Sequence, residues 1–320
     1  MTLRVYWSDR EGKGPPSHAK FQCRSFFPDA ALPFQEGSSQ IEFLPPPVST
    51  RVLKRTFLPE KPQWIEAVKK ALAMNMKKVV LARCQILELA DRPDPFAITA
   101  ALKKKSDGAY VFCFNEGDIS FLGASPERLF FRNGHTFYSE AMAGTRARGT
   151  SPSEDEALGQ ELLKSSKDLR ELTPIRTFLE TALDPLIESP LSFSPISLHK
   201  TQNVQHLYAQ VQAKLRENLT DQEILARIHP TPALCGTPTN EAFDLIRKLE
   251  PFDRGLYGGA LGWSTDQASE WIVGIRSCLI QGNRAYLYTG TGIVQGSDPE
   301  EEWEELNQKS RLYDGIFVDT

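Results

Sequence analysis

Between residues 109 and 144 the chain strings together four short strand-like runs, AYVFCFN, ISFLGAS, RLFFR and TFYSEAMAG, parted only by EGD, SPE and NGH. A parallel crossover needs roughly a dozen residues or more, so connections this short force neighbouring strands to run antiparallel. Asn133-Gly134 is a strong hairpin signal, and EWIVGIRSCLIQGNRAYLYTGTGI reads as another hairpin around Gly282-Asn283. KKVVLARCQILEL, residues 77–89, is a further strand rich in β-branched and apolar residues. TQNVQHLYAQVQAKL fits a strand better than a helix, and LRVYW and KFQCRSFF are strand-like runs near the N-terminus.

Helical patterns fall in blocks between these hairpins. KPQWIEAVKKALAMN has helical spacing with Pro62 near its start, and DPFAITAALKKK places Asp94 at an N-cap and Pro95 at the first helical position. SPSEDEALGQELLKSSKDLREL is a charged amphipathic helix, with Pro174 expected to start a second segment, and TNEAFDLIRKLE is another helix. SDPEEEWEELNQKSRLYDGIF closes the chain as a helix capped by Asp298, with acids in its first turn. Hairpins with blocks of helices predict an α+β fold built on a large antiparallel sheet, with no sign of two independent domains.

The net charge of −4 offers no basic field for a polyanion, so nucleic acid is not an expected partner. The N-terminus MTLRVYWSDREGKG lacks the apolar core of a signal peptide, and no run approaches the ~18 apolar residues of a membrane span. Five scattered cysteines without a C-x-x-C pair fit a reducing cytoplasm and argue against a disulfide framework or structural zinc.

Within the 77–89 strand, Lys78 shares a face with Val80, Ala82, Cys84 and Ile86. The plain alternative is that it is the last solvated residue before the sheet. Arg276 reads as a second cation on a buried strand, suited to grip a carboxylate or to form an interior ion pair. In the last helix Glu302, Glu305 and Lys309 share one face; two carboxylates one turn apart suit Mg²⁺, and a solvated charged face is the alternative. YTGTGIVQGSDP places Gly290, Gly292 and Gly296 where bare backbone can approach an anion, or simply turn. AGTRARG ends a strand in small residues, Glu127 follows a proline in SPERL, and Asp168 and Glu171 share a helix face. His206 reads as a hydrogen-bonded core or cleft residue, since it has no metal-ligand spacing.

Taken in order, KVVLAR, GASPERL, AGTRARG…ED…ELLKSSKDLRE, QHL, HPTPALCGTP…EPFDRGLYGGALGW, GIRS and GTGIVQGSDPEEEWEELNQK resemble the chorismate-utilising enzymes over about residues 60 to 316. That resemblance implies an α/β sandwich around a large twisted antiparallel sheet with helices packed outside. It implies shortened N-terminal strands over 1–60 that complete the sheet, and one compact chorismate-binding catalytic domain over 61–320.

The resemblance also implies roles. Lys78 matches the general base of members that add water to C2 of chorismate, and Glu127 the acid that protonates the departing C4 hydroxyl. A lysine acts as a base only where burial depresses its pKa. Glu171 and Glu302 match the Mg²⁺ ligands, with Glu305 near the ion or its waters. Tyr257, Arg276, Gly290, Gly292 and Lys309 would grip the enolpyruvyl carboxylate, with His206 near the enolpyruvyl oxygen. Ala143, Gly144 and Thr145 form the small-residue floor, and Ala143 stands where some aminodeoxychorismate synthases carry a nucleophilic lysine. Leu172 departs from the histidine often found after the metal glutamate. Lys78 disfavours the ammonia-using branch, so no glutamine amidotransferase subunit is expected. The resemblance thus implies a Mg²⁺-dependent isomerase that forms isochorismate, with a salicylate-forming enzyme or a non-catalytic chorismate binder as alternatives. A cytoplasmic location and no membrane partner are expected.

Overall fold

A computed structural model describes residues 2–74, 76–200 and 204–319; the side chains of Thr145, Lys167, Arg170, Glu171, Thr173 and Pro174 lie outside that description. Contacts divide the chain into two compact units, one formed by Met1–Glu127, Pro232–Trp263 and Ile272–Thr320, the other by Arg128–Thr231 and Ser264–Trp271. This division does not follow the boundary expected at residue 60, nor does it leave 61–320 as one unit. The physical reason is that strands far apart in sequence pair side by side in the first unit.

The first unit holds a ten-stranded sheet among the described residues. Across it run Phe317–Asp319, Thr50–Leu58, Lys78–Leu89, Arg284–Ile293, Ser277–Gln281, Ile119–Ser125, Tyr110–Glu116, Arg4–Ser8 and Ser39–Gln40. Neighbours are antiparallel except at the two outer edges, where Phe317–Asp319 and Ser39–Gln40 pair parallel. A two-residue strand, Gly236–Thr237, also pairs with Lys78–Leu89. The expected hairpins are present, Tyr110–Glu116 with Ile119–Ser125 and Ser277–Gln281 with Arg284–Ile293.

Lys78–Leu89 is buried along almost its whole length after its first residue. One face carries Leu87 and Leu89 into a core with Phe96, Ile98 and Leu102. Those three come from the Pro95–Lys105 helix, whose Asp94 cap accepts from Phe96 N at 2.9 Å. Ala82 and Cys84 on the opposite face pack with Tyr257 and Tyr288. The Pro299–Ser310 helix is capped as its sequence predicts, with Asp298 accepting from Glu300 N and Glu301 N. Its Trp303 is buried near Trp64 of the Lys61–Ala73 helix, and Trp64 donates to Pro299 O at 3.1 Å.

In the second unit Thr136–Ala147 lies between Arg128–Asn133 and the long strand Val204–Lys214. The hairpin turn is Gly134-His135, one residue beyond the expected pair: Asn133 still pairs with Thr136, and Gly134 takes φ 55°. The 148–191 region differs from expectation. Two helices, Pro152–Lys164 and Ser166–Leu183, meet at Ser165, and the second runs through Pro174. Ser165 caps it by accepting from Asp168 N at 3.3 Å, so a capping serine sets the break. Among the described residues no helix is long and apolar enough to cross a membrane.

Candidate active site

The first unit contains a cavity of about 180 Å³ whose walls include Glu127, Tyr257, Arg276, Gly290 and Lys309. Five residues singled out in the sequence therefore line one small space. The cavity lies on the face of Lys78–Leu89 that carries Val80, beside the glycine-rich end of Arg284–Ile293.

Each of two glycines makes room for a side chain. Gly290 and Gly292 lie opposite Ala82 and Val80 on the neighbouring strand. A β-carbon on Gly290 would stand 2.5 Å from Tyr257 Oη, and one on Gly292 would stand 2.6 Å from Lys78 Cε. Both approaches are closer than any β-carbon tolerates. The half-buried Lys78 thus lays the end of its side chain over Gly292, and neither residue is part of the cavity wall, although Val80 and Gly290, two positions along each strand, are.

Tyr257 is buried and stacks on Tyr288, with ring centroids 5.3 Å apart and planes 16° from parallel. Burial pushes its phenol up to about 12, so it is a neutral hydrogen-bond donor at ordinary pH. Arg276 is half-buried, and loss of solvent lowers its guanidinium below the ordinary value. It stays a cation, since arginine does not deprotonate in proteins. Contrary to the sequence expectation, Arg276 is not on a strand. It sits in the turn between Ala268–Val273 and Ser277–Gln281 with φ 51°, and its carbonyl accepts from Ala124 N at 3.2 Å and Tyr313 Oη at 3.1 Å. The turn begins where Ile275 N bonds back to Val273 O, and Gly274 passes too close to Leu256 O for any side chain.

Glu127 follows Ser125 and Pro126. Its amide donates to Ser125 Oγ at 3.2 Å, and its carbonyl accepts from Val273 N at 3.1 Å. Arg10 Nη2 donates to Pro126 O at 2.5 Å, a support that nothing in the sequence announced. Lys309 donates to Gly290 O at 2.8 Å and pairs with Glu305 at 2.5 Å.

Glu302 and Glu305 converge on Thr291, whose Oγ1 lies 2.5 Å from Glu302 Oε2 and 3.1 Å from Glu305 Oε1. One hydroxyl has one proton and cannot donate to both. Two carboxylates around a shared point are hard oxygen donors of the kind Mg²⁺ takes. Among the described residues no cluster of three or more His, Cys, Asp or Glu forms a metal cage. The Glu171 side chain lies outside the described residues. On the far face of the strand, Arg83 is buried between Trp303 and Phe57 and donates to Asn307 Oδ1 at 2.9 Å. Desolvation lowers its guanidinium to about 10. It ties the lysine strand to the helix that carries Glu302, Glu305 and Lys309.

In the second unit, Ala143, Gly144 and His206 come together at a β-bulge. Leu207 pairs with Ala143 and Gln205 with Arg146, so Gly144 and Thr145 share the place opposite His206. Gly144 has φ 61°, and its carbonyl lies 3.0 Å from His206 Nδ1. A β-carbon there would meet Asp168 at 2.8 Å, and Asp168 in turn accepts from Arg146 at 3.0 Å. The Thr145 side chain lies outside the described residues.

The chain is similar to known proteins. The family described as chorismate binding enzyme matches residues 35–312. The chain is 37% identical over 289 residues to a chloroplastic isochorismate synthase of Catharanthus roseus, covering 87% of this chain and 50% of that protein. It is 37% identical over 259 residues to the isochorismate synthase MenF of Bacillus subtilis, covering 78% and 54%. The chain spans about half the length of the curated relatives it matches. The solved structure of MenF, the menaquinone-specific isochorismate synthase from Escherichia coli, superposes with a TM-score of 0.87 at 27% identity, covering 98% of this chain and 88% of that one.

Proposed function

Because the chain belongs to the chorismate-binding enzyme family, we propose that it is an isochorismate synthase, an isomerase that converts chorismate to isochorismate. The observation that carries this reading is the cavity in which Tyr257, Arg276 and Lys309 face the same space as Glu127, beside Lys78. Relatives 37% identical are named isochorismate synthases, which supports the choice of reaction within the family.

In this reading the first three bind the enolpyruvyl carboxylate, Arg276 through its fork and Tyr257 through its neutral phenol. Lys78 takes a proton from water as the water oxygen bonds to C2. Both ring double bonds shift by one position, from C1=C2 and C5=C6 to C1=C6 and C4=C5, the C4–O bond breaks, and Glu127 gives a proton to the departing hydroxyl. One water enters and one leaves, so the net change is an isomerisation. Glu302, with Glu305, would hold Mg²⁺, whose charge would anchor the ring carboxylate when it is bound. The five free cysteines support a reducing, cytoplasmic setting.

Incubation with chorismate and Mg²⁺, followed by chromatographic analysis, tests the reading. Isochorismate without pyruvate is the expected result. Stoichiometric pyruvate would assign the chain to salicylate formation, and unchanged chorismate would leave it a binder.

A further inference from the structure

The Lys78–Leu89 strand is paired along one edge by Arg284–Ile293, but Thr50–Leu58 covers its other edge only from Cys84 onward. Between Lys78 and Ala82 other groups must satisfy that edge. Gly236–Thr237 pairs with Val79 and Lys78, and Cys235 O accepts from Val80 N at 2.8 Å. Side chains meet the next two groups. Arg254 Nη2 donates to Val80 O at 2.7 Å, and Glu250 Oε1 accepts from Ala82 N at 2.7 Å.

Glu250 and Arg254, four residues apart just past the end of the Thr239–Leu249 helix, form a buried ion pair with side chains 3% and 1% exposed. Arg254 Nε donates to Glu250 Oε2 at 2.8 Å, and Nη1 to Leu234 O at 3.1 Å. Its guanidinium also lies 4.3 Å over the Phe26 ring. Many buried ion pairs can be replaced by apolar residues at little cost. This one cannot, because apolar side chains would strand Val80 O and Ala82 N without partners. Although Arg254 borders the cavity, four of its five N–H groups are already engaged, so it is built as a brace rather than a carboxylate grip.

We infer that Glu250 and Arg254 are positioning residues for Lys78, standing in for a missing strand over Val80–Ala82 and fixing the strand end from which Lys78 reaches across Gly292. The inference rests on the reading of Lys78 as the base. A lysine held by a frayed strand end would bind no less substrate but would meet water in the wrong place.

The test uses Arg254→Lys, which keeps the charge but loses the fork, and the isosteric Glu250→Gln. Isochorismate formation is measured beside amide hydrogen exchange. Each variant is expected to lose about tenfold or more in kcat with KM for chorismate within about threefold. Exchange across residues 78–83 should speed up by about tenfold or more while the 110–125 hairpin keeps its protection. A folded variant with near wild-type kcat overturns the inference, as does an equal loss of protection in the hairpin, which would make the pair a general stabiliser. Failure of the wild-type protein to form isochorismate would remove the role given to Lys78. Unchanged exchange over 78–83 would sink the brace itself, whatever the catalysis.

Discussion

Lys78 and Gly292 compete for the same space: a β-carbon on Gly292 would stand 2.6 Å from Lys78 Cε and 3.2 Å from its Nζ. The clash involves the free end of a flexible side chain, so the lysine can swing aside. Gly292 does not have a positive φ, so alanine fits the backbone. Gly292→Ala should therefore keep its melting temperature within about 3 °C, since stiffening the unfolded chain offsets mild crowding. Its kcat should fall by about tenfold or more because the lysine is displaced. Wild-type kcat in this variant would show that the position of Lys78 over Gly292 is not used.

Gly290→Ala should behave differently. Its β-carbon would meet Tyr257 Oη at 2.5 Å and Leu81 O at 3.2 Å, and Tyr257 is held by its stack on Tyr288. Overpacking of this kind costs about 1–3 kcal/mol. Denaturant unfolding should register that loss, and KM should rise as Tyr257 shifts. A variant as stable as wild type would mean that Tyr257 has more freedom than its packing implies.

Arg276→Lys separates backbone from head group. Both residues carry the same strain at φ 51°, so stability should barely change. The fork is lost, and catalytic efficiency should drop by about 1.5–3 kcal/mol in transition-state terms, the scale of a hydrogen bond to a charge. Steady-state kinetics with a parallel melting curve decides; full efficiency would make Arg276 a turn residue only.

Much of this arrangement is local in origin and so legible in the sequence. The 110–147 strands are joined by turns whose chemistry is written in three residues each, and Asp94 and Asp298 are capping residues followed by proline. Family resemblance, and not spacing, gathers Glu127, Tyr257 and Arg276 into one site. What stayed hidden is non-local or conformational. Positive φ at Arg276 has no signature in a non-glycine residue, and the apolar run around it favours a strand. Ser165 outranked Pro174 as a helix boundary because a cap satisfies an open amide, whereas a proline only withholds one. Glu250 and Arg254 lie about 170 residues from the strand they complete, as the Ala82 and Val80 contacts show.

Asp155 supplies a prediction on acid stability. Hydrogen bonds from Arg148 and Lys200, then from Gly149 N, hold its carboxyl well below the ordinary carboxylate value. The unfolded state therefore takes up this proton first as pH falls, and the contribution to stability is present above about pH 4 and lost below it. Asp155→Asn should melt below wild type at pH 7, and the gap should narrow as pH falls through 4 toward 3. A gap that stays constant across that range would mean the Arg148 and Lys200 contacts contribute nothing in solution.

Glu302→Gln addresses the shared point at Thr291. Glutamine keeps an oxygen near the hydroxyl but removes the charge. If Mg²⁺ binds there, half-maximal activity should need about tenfold more Mg²⁺ or more, since even outer partners of metal ligands cost that much. Tighter dependence of substrate binding on Mg²⁺ should accompany it, because ion and carboxylate are linked ligands. An unchanged Mg²⁺ titration would move the ion away from this helix.

The deciding prediction concerns Lys78 and Glu127 together. Lys78→Ala removes the base yet leaves Tyr257, Arg276 and Lys309 in place around the cavity. Chorismate binding should stay within about fivefold while isochorismate formation falls by about a hundredfold or more, the range of a lost acid–base group. Glu127→Gln should give the same split, because the amide cannot deliver a proton to the departing hydroxyl. Lys78 ends a strand and lies over a glycine, so its removal leaves space at an edge rather than a hole in a core, and the melting temperature should hold. Calorimetric titration with chorismate measures binding, and chromatography measures product. A folded Lys78→Ala variant that turns over chorismate at the wild-type rate would return the residue to a solvated strand end and take the proposed chemistry with it.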